Sequence, residues 1–356
     1  MTEKILITGS CGTVGSGLVE YLIDRFPESE IHCFDNNESQ LFFQEQKHIK
    51  DERVRFFLGD VRDLNRLRSV MHGVDYVYHA AALKHVVMCE RSPMDAVQSN
   101  ILGVNNVIQA ANEAHVKKVI FTSSDKAVNP TNVMGTSKLM GERLITAANT
   151  NHHSGETIFA STRFGNVLGS NGSVIPIFRK QIEKGGPVTL TDKDMTRFVM
   201  SMEQAVKLVV DSCAMAKGGE VFITKMPVIQ IADLAQVMIE QLAPKYGHDP
   251  EKIEIVEIGC KPGEKLYEEL MSFEETRRAL ELEDYFAVLP AFRGLYREID
   301  YDFVDVLSTD VNNPYVSQDE TCLSKTELAE FLLQYNLLSH SDVDEPDQRY
   351  WPGDKS

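Results

Sequence analysis

The alternation of short apolar runs with amphipathic stretches in the first half of the chain constrains its fold most. Strands are predicted at Lys4–Thr8, Glu30–Phe34, Val54–Leu58, Asp75–His79, Val119–Thr122 and Ile158–Phe164. Helices are predicted at Val14–Phe26, Leu64–His72, Ala96–Ala114 and Val133–Ala148. Strands that alternate with helices are typical of a parallel sheet covered by helices on both faces. We therefore predict an α/β protein with a doubly wound parallel sheet.

The second half of the chain is less regular and predicts a smaller C-terminal α/β lobe. Its helices are predicted at Phe178–Lys184, Met202–Ala216, Ile231–Leu242, Gly263–Leu270 and Ser324–Tyr335, and a short strand at Glu220–Thr224. The stretch from Ser272 to Glu320 has no strong period. Residues 339–356 are polar and mostly acidic, which predicts a loosely held tail.

The charge and the cysteine pattern exclude several functional classes. A chain of 356 residues with a formal net charge of −17 is a poor partner for nucleic acid or for an anionic membrane surface. No apolar run has the length of a membrane span, and the first residues do not resemble a signal peptide. The six cysteines are scattered, which argues against structural disulfides and a metal site. We expect a cytoplasmic protein without metal, nucleic acid or membrane insertion.

A glycine-rich turn, Thr8 to Gly15, joins the first predicted strand to the first predicted helix. Gly9 permits the tight turn, Gly12 lets the backbone approach a pyrophosphate, and Gly15 lets the helix pack close to the sheet. The helix start presents free N–H groups and a positive dipole end to the phosphates. This context predicts a Rossmann-like dinucleotide site. The turn residues assigned to it are Gly9, Ser10, Gly12, Thr13, Val14 and Gly15.

The ends of the next strands carry further candidates for cofactor contacts. Asp35 follows the glycines by about twenty residues, where a carboxylate binds ribose hydroxyls and repels a 2′-phosphate. No arginine follows it, so we predict NAD rather than NADP. The other candidates are equally compatible with a capping aspartate or with small core residues. The full set is Asp35, Asn36, Asp60, Val61, Ala80, Ala81 and Ala82.

An acid and an amine, Asp125 and Lys126, stand side by side directly after an apolar strand. Lys138 follows on the next helix, and Met134 precedes it by four positions. In the short-chain dehydrogenase pattern Tyr-x-x-x-Lys, a tyrosine stands where this chain has Met134. An acid/base pair beside a nicotinamide site indicates proton transfer coupled to a redox step. The alternative, a solvated ion pair in a loop, fits a position after a core strand less well.

Several longer segments resemble the extended short-chain dehydrogenases/reductases, and most closely the UDP-N-acetylglucosamine 4,6-dehydratases of bacterial polysaccharide and glycan biosynthesis. The segments are Ala82–His85, Asp125–Asn132, Arg163–Ser170, Gly172–Pro176, Asp194–Phe198 and Lys261–Lys265. They extend to about residue 270, and the rest matches loosely. Four positions depart from the family pattern: Ser124 for Thr, Val87 for Pro, Asn171 for Arg and Met134 for Tyr. Methionine at position 134 resembles a sub-branch of these dehydratases.

The resemblance implies an NAD-dependent enzyme that oxidises carbon 4 of a UDP-sugar, eliminates water across carbons 5 and 6, and returns the hydride to carbon 6. Lys126 is then the base, with a lowered pKa, and Asp125 the acid, with a raised pKa. Lys138 holds the nicotinamide ribose. Met134 cannot accept the carbon-4 hydroxyl proton, so Ser124, Asp125 or a water must do so, and the sequence leaves this choice open.

Weaker candidates for cofactor and substrate contacts are spread over both lobes. Lys84 and Asn100 are equally compatible with surface positions, and Arg163 with a structural role. Arginines suit bidentate phosphate contacts, which favours Arg179 and Arg197 as diphosphate ligands. The substrate candidates are Lys84, His85, Asn166, Ser173, Val174, Arg179, Thr189, Arg197 and Glu264, and the further cofactor candidates are Lys84, Asn100 and Lys138.

The predicted organisation places the NAD-binding domain at residues 1–167, joined by 199–225, and the nucleotide-sugar lobe at 168–198 and 226–338. A homo-oligomer, dimeric or larger, is expected because short-chain dehydrogenases associate through their helices. Two other functions remain open. A nucleotide-sugar 4-epimerase would leave Asp125 and Lys126 unexplained, and a non-catalytic NAD sensor is supported only by the missing tyrosine.

Overall fold

A ten-stranded sheet dominates the computed structural model, which describes residues 3–150, 157–170, 173–259, 263–292 and 299–339. Its strands are β1 (Lys4–Thr8), β2 (Glu30–Asp35), β3 (Val54–Leu58), β4 (Tyr76–His79), β5 (Lys118–Thr122), β6 (Ile158–Arg163), β10 (Val221–Thr224), β14 (Ala279–Leu282), β15 (Tyr285–Val288) and β16 (Val306–Ser308). The spatial order is β16-β14-β15-β10-β6-β5-β4-β1-β2-β3. The strands from β10 to β3 run parallel, which confirms the predicted sheet.

Helices cover both faces of this sheet. They are α1 (Thr13–Arg25), α2 (Glu38–His48), α3 (Leu64–Met71), α4 (Val86–Arg91), α5 (Pro93–Ala96), α6 (Gly103–Glu113), α7 (Val133–Ala148) and α9 (Met202–Met215). One apolar cluster packs α1 and α9 against the sheet, and another packs α3 and α6 against the opposite face. Burial of these amphipathic helices on a parallel sheet explains why their apolar periods were readable in the sequence.

A second, smaller body lies opposite the edge of the large sheet. Its elements are β7 (Asn166–Val167), α8 (Val174–Glu183), β8 (Val188–Leu190), β9 (Thr196–Met200), β11 (Val228–Gln230), α10 (Ile231–Leu242), β12 (Ile255–Glu257), β13 (Glu269–Met271), α11 (Phe273–Thr276), β17 (Tyr315–Val316) and α12 (Lys325–Gln334). Helices α8, α10 and α12 share one apolar cluster. Residues 279–288 and 306–308, assigned by the sequence to this lobe, instead add β14, β15 and β16 to the large sheet. The lobe boundaries otherwise stay a prediction.

Two local predictions were wrong or incomplete. The helix predicted at Gly263–Leu270 does not form; β13 begins at Glu269 and pairs antiparallel with β17. This pairing partner is distant in sequence, so the local pattern could not reveal it. The helix predicted at Ala96–Ala114 contains a π-helical stretch, Val97–Leu102, before α6. Helix α2 was missed because only Leu41 and Gln46 are buried in it.

A buried ion cluster ties α7 to the segment that follows β13. The Arg163 side chain is 1% exposed and makes paired bonds to Glu142 at 2.8 and 2.6 Å. It also bonds the Glu275 carboxylate at 3.0 and 2.8 Å and the Leu270 carbonyl at 3.0 Å. Every guanidinium nitrogen therefore has an acceptor, which identifies Arg163 as a structural residue.

Replacing Arg163 tests this cluster. Arg163→Gln leaves two buried carboxylates without their cation and should lower the free energy of unfolding by about 3–5 kcal/mol. Arg68→Gln, which breaks the exposed pair with Glu113, is the matched control and should leave it nearly unchanged. Urea denaturation followed by circular dichroism measures both. Equal stabilities of the two variants would contradict the structural role.

Candidate active site

The glycine-rich turn packs directly against the neighbouring strand ends. Gly9 has a φ of +74°, and a Cβ built on it would lie 2.6 Å from the Ala81 nitrogen. A Cβ on Gly15 would lie 2.0 Å from the Gly9 oxygen, so α1 touches the turn as predicted. Helix α1 begins after Gly12 without a side-chain cap. Its first N–H groups are therefore left for a ligand at the helix start.

A cavity of about 260 Å³ lies beside this turn and gathers most of the predicted cofactor residues. Its lining includes Gly9, Gly12, Asp35, Asn36, Asp60, Val61, Ala80, Ala81 and Ala82. The Asp35 carboxylate accepts the N–H groups of Cys11 and Asn37, both at 2.9 Å. It is thus fixed at the cavity wall with lone pairs left for hydroxyl donors. Ser10 is fully buried beneath the turn and does not line this cavity.

A larger cleft, about 510 Å³, continues from α1 to the end of β5. It brings together Thr13, Val14, Gly15, Lys84, His85, Ser124, Asp125, Lys126, Met134, Lys138, Asn166 and Ser173. The Lys84 amine lies 3.4 Å from the Thr13 hydroxyl at the start of α1. This cleft shares Gly12, Ala80 and Ala82 with the first cavity, so the two are continuous.

Two further cavities extend the cleft toward the smaller body. The first, about 270 Å³, shares Asp125, Lys126 and Asn166 with the cleft and adds Arg197, Glu264 and Glu268. The second, about 350 Å³, is lined mainly by apolar side chains and contains the predicted residues Ser173, Val174, Thr189, Arg197 and Glu264. A ligand with a sugar in the centre and a base in the apolar end fits this arrangement.

Asp125 and Lys126 form a compact cluster with Glu268 at the point where these cavities meet. They lie on a 3₁₀ turn, Asp125–Ala127, directly after β5. The Lys126 ammonium is 2.8 Å from Asp125 Oδ2 and 3.1 Å from Glu268 Oε1. The Ser124 hydroxyl donates to Asp125 Oδ1 at 2.5 Å. Both carboxylates are buried, whereas the Lys126 side chain is one-third exposed to the cleft.

The charges of this cluster are opposite to those predicted. Burial raises the pKa of Asp125, but the Lys126 ammonium and three hydrogen-bonding side chains outweigh burial and hold that pKa at about 2. Burial lowers the pKa of Lys126, but the two carboxylates outweigh it and raise that pKa above its usual value. Burial and then the Asp125 charge raise the pKa of Glu268 to about 7. In this state Lys126 is charged and Asp125 is ionised.

Met134 and Lys138 lie one helical turn apart on α7 and face the same cleft. Met134 is buried, and its thioether offers no proton acceptor in place of the tyrosine. The Lys138 amine donates to the Thr122 carbonyl at 2.8 Å and lies 4.7 Å from the centre of the Phe121 ring. Burial lowers the pKa of Lys138 to about 8, partly offset by Glu142.

Some predicted residues do not reach the cavities. Arg179 donates to the Leu337 carbonyl at 2.7 Å and lines none of the described cavities, so its predicted role in diphosphate binding is not supported. The Asn100 amide is occupied by the Leu83 backbone, at 2.8 and 3.0 Å, and by the Ser137 hydroxyl. Asn100 therefore fixes the loop after β4 rather than facing a cofactor. Asn171, Lys261 and Pro262 lie outside the described residues.

Arg197 reaches the cavities, but its guanidinium is largely engaged by the protein. It donates to the carbonyls of Lys265 at 2.8 Å and Leu266 at 3.1 Å, and its Nε is 3.3 Å from Glu268. Sequence reasoning missed Glu268 because it assumed a helix there. The place of Glu268 beside β13 depends on the pairing of β13 with β17, which no local pattern contains.

The described residues contain no cluster of three or more His, Cys, Asp or Glu side chains arranged to hold a metal. Over the same ranges, no helix is long and apolar enough to span a membrane.

Comparison with known proteins identifies the family. The model of a family described as polysaccharide biosynthesis protein matches residues 5–290. A UDP-N-acetylglucosamine 4,6-dehydratase (inverting) of Campylobacter jejuni is 40% identical over 300 residues, 84% of this chain and 86% of that protein. A protein named UDP-glucose 4-epimerase, from Rickettsia canadensis, is 38% identical over 343 residues, 94% and 97% of the two chains.

A solved structure extends this likeness to the whole fold. The X-ray structure of Pen from Bacillus thuringiensis matches with a TM-score of 0.86 and 41% identity, covering 95% of this chain and 99% of that one. The chain belongs to the polysaccharide biosynthesis protein family. The predicted membership of the extended short-chain dehydrogenases/reductases, close to the nucleotide-sugar 4,6-dehydratases, is confirmed.

Gly9 and Gly73 have the same left-handed backbone conformation but different surroundings. Replacing each with alanine therefore separates the free-energy cost of that conformation from the cost of a clash with neighbouring atoms. Gly73 has a φ of +73° with nothing within 4 Å of a built Cβ, so Gly73→Ala should cost about 1 kcal/mol. Gly9→Ala adds a clash with Ala81 and should cost at least about 2 kcal/mol. Urea unfolding measures both, and similar losses would show that Ala81 yields freely.

Proposed function

We propose that this member of the polysaccharide biosynthesis family is an NAD-dependent 4,6-dehydratase of a UDP-N-acetylhexosamine, UDP-N-acetylglucosamine, that forms a UDP-4-keto-6-deoxy sugar. The observation that carries the proposal is the cluster of Asp125, Lys126 and Glu268 at the junction between the dinucleotide side and the sugar side of the cleft. Its acids and amine suit an elimination that needs both a base and an acid. The 40% identity to a named 4,6-dehydratase supports the substrate.

The residues beside the glycine-rich turn fit NAD. Asp35 offers a fixed carboxylate for the adenosine ribose and repels a 2′-phosphate, and the uncapped start of α1 suits the pyrophosphate. Lys84, across from Thr13, adds a positive charge on the same side. When bound, NAD supplies the acceptance and return of a hydride. Lys138 contributes a positive field at the carbon-4 oxygen.

In place of the missing tyrosine, Ser124 and Asp125 accept the proton of the carbon-4 hydroxyl. Met134 cannot take the carbon-4 hydroxyl proton, whereas Ser124 lines the cleft and already donates to the Asp125 carboxylate. The Ser124 hydroxyl takes the substrate proton as it passes its own to Asp125. Asp125 thereby becomes a neutral carboxylic acid, ready to donate to the leaving carbon-6 hydroxyl.

The same transfer prepares Lys126 to act as a base. Protonated Asp125 no longer stabilises the ammonium, so the pKa of Lys126 falls, and of the two carboxylates only Glu268 still opposes the effect of burial. Its neutral amine then removes the carbon-5 proton, and the C–H electrons form the C5–C6 double bond as the C6–O bond breaks. Asp125 protonates the departing hydroxyl to give water. Lys126 returns its proton to carbon 5 as the hydride reaches carbon 6.

A nucleotide-sugar 4-epimerase is the second candidate, favoured by the likeness to the Rickettsia protein of that name. An epimerase exchanges a hydride at carbon 4 alone and needs no acid or base at carbons 5 and 6. The cluster of Asp125, Lys126 and Glu268 would therefore have no catalytic role in an epimerase.

Incubation of the purified protein with NAD and UDP-N-acetylglucosamine should give a product lighter by one water, detected by mass spectrometry. Lys126→Ala should slow this loss by about 10²–10⁴-fold, because the carbon-5 base is gone, while NAD stays bound. An isomer of unchanged mass would favour the epimerase, and no turnover with tightly bound NAD would favour a sensor.

Ser124→Ala tests the proton path from carbon 4. Removing the hydroxyl should slow reduction of NAD by substrate about 10²-fold, measured as nicotinamide absorbance in a single turnover. Ser69→Ala, an exposed serine on α3, is the matched control. Reduction at the wild-type rate in Ser124→Ala would assign the carbon-4 proton to another acceptor.

A further inference from the structure

Hydrogen bonds from distant residues hold the main chain of Glu268 in place. It directly precedes β13, and its backbone N–H donates to the Ser317 hydroxyl at 3.0 Å. The Ser317 backbone N–H in turn donates to the Glu268 carbonyl at 2.9 Å. The main chain of Glu268 is thus fixed from β17, on the side away from the cleft.

The carboxylate of Glu268 accepts hydrogen bonds from Lys126 and Asn166 and forms an ion pair with Arg197. Its Oε1 is 3.1 Å from the Lys126 ammonium and 3.3 Å from Arg197 Nε, and its Oε2 accepts from Asn166 at 2.8 Å. The charged groups that face it are Asp125 and Lys126 from the turn after β5 and Arg197 from β9. The Lys126 ammonium consequently bridges two carboxylates, and only one of them, Asp125, has a part in the steps above.

We propose that Glu268 is a positioning residue that takes the proton which Lys126 must release before its amine can remove the carbon-5 proton. The inference rests on the proposed dehydration. One N–H bond of the ammonium breaks and one O–H bond forms on Oε1, which leaves a neutral amine and a neutral carboxylic acid. After Lys126 has returned a proton to carbon 5, Glu268 gives its proton back, so the cluster regains its starting charges.

Two comparisons favour Glu268 over Asp125 as this acceptor. Asp125 is next to Ser124 and receives the carbon-4 proton, so it is already occupied when Lys126 must be deprotonated. In the resting cluster the Glu268 carboxyl also binds a proton more tightly than Asp125, because burial and then the Asp125 charge raise its pKa, whereas the Lys126 ammonium outweighs burial and lowers the pKa of Asp125. Transfer over a 3.1 Å contact requires no movement of the main chain.

The proposal fixes the direction of the pH dependence. Glu268 accepts a proton only when ionised, so kcat should rise as the pH rises through about 7. A glutamine at this position keeps the size and the hydrogen bonding of the side chain but cannot take the proton. Glu268→Gln should therefore lose turnover, and its kcat should no longer show the rising limb, which is the increase of kcat as the pH rises through about 7. Glu268→Asp, which restores a carboxylate on a shorter arm, should regain part of both.

The experiment compares wild type, Glu268→Gln and Glu268→Asp, with the exposed Glu274→Gln as matched control. Glu268→Gln should lower kcat at least about 10²-fold, leave KM within a few-fold, and slow carbon-5 deuterium uptake in heavy water by the same factor as kcat. Reduction of NAD by substrate, measured in a single turnover, should persist because carbon-4 oxidation does not use Glu268.

Each outcome decides the proposal. A Glu268→Gln variant that keeps the wild-type kcat and its rising limb overturns it, as does loss of NAD reduction together with turnover, which marks a structural role. If that variant does not fold, the Glu268→Asp profile decides, and a limb unchanged in position and amplitude overturns the inference. If the wild-type protein does not remove water from the substrate, the proposed function itself is contradicted.

Discussion

The parallel register of β1, β4, β5 and β6 is the constraint on which the rest of the structure depends. Each strand pairs with its neighbour in the same direction, so all four carboxyl ends meet at one edge of the sheet. The chain leaves that edge through the glycine-rich turn, the Ala80–Ala82 stretch, the Ser123–Lys126 turn and the segment after Arg163. Ligands of open parallel sheets bind at this edge, in the crevice outside the carboxyl ends of the strands.

Most of this architecture was predictable because its signals are local. Apolar periods predicted the parallel strands of the large sheet and most of the helices that cover it, and the glycine spacing predicted the turn to within a residue. Asp125 and Lys126 were predictable because they directly follow a core strand. Other residues have surroundings that depend on contacts distant in sequence. The position of Glu268 depends on the pairing of β13 with β17. Arg179 donates a hydrogen bond to the Leu337 carbonyl, and the Asn100 side chain bonds the Leu83 backbone. No pattern within a short window contains those partners.

The sequence analysis predicted a lowered pKa for Lys126 and a raised pKa for Asp125, whereas the structure favours the opposite shift for each group. An ammonium between two carboxylates stays charged because their attraction outweighs the cost of burial. Neutralising either carboxylate weakens this attraction while the cost of burial stays, so it lowers the pKa of Lys126. The cluster is therefore best understood as a set of coupled sites rather than as one acid and one base with fixed properties.

The support of Glu268 by Ser317 has a consequence for how the enzyme is completed during translation. Every residue of the dinucleotide cavity lies before position 100, and the parallel sheet is complete by Thr224. The β17 strand emerges from the ribosome almost a hundred residues later. A nascent polypeptide would thus contain every residue of the cavity beside the glycine-rich turn well before it contains Ser317, which holds the main chain of Glu268.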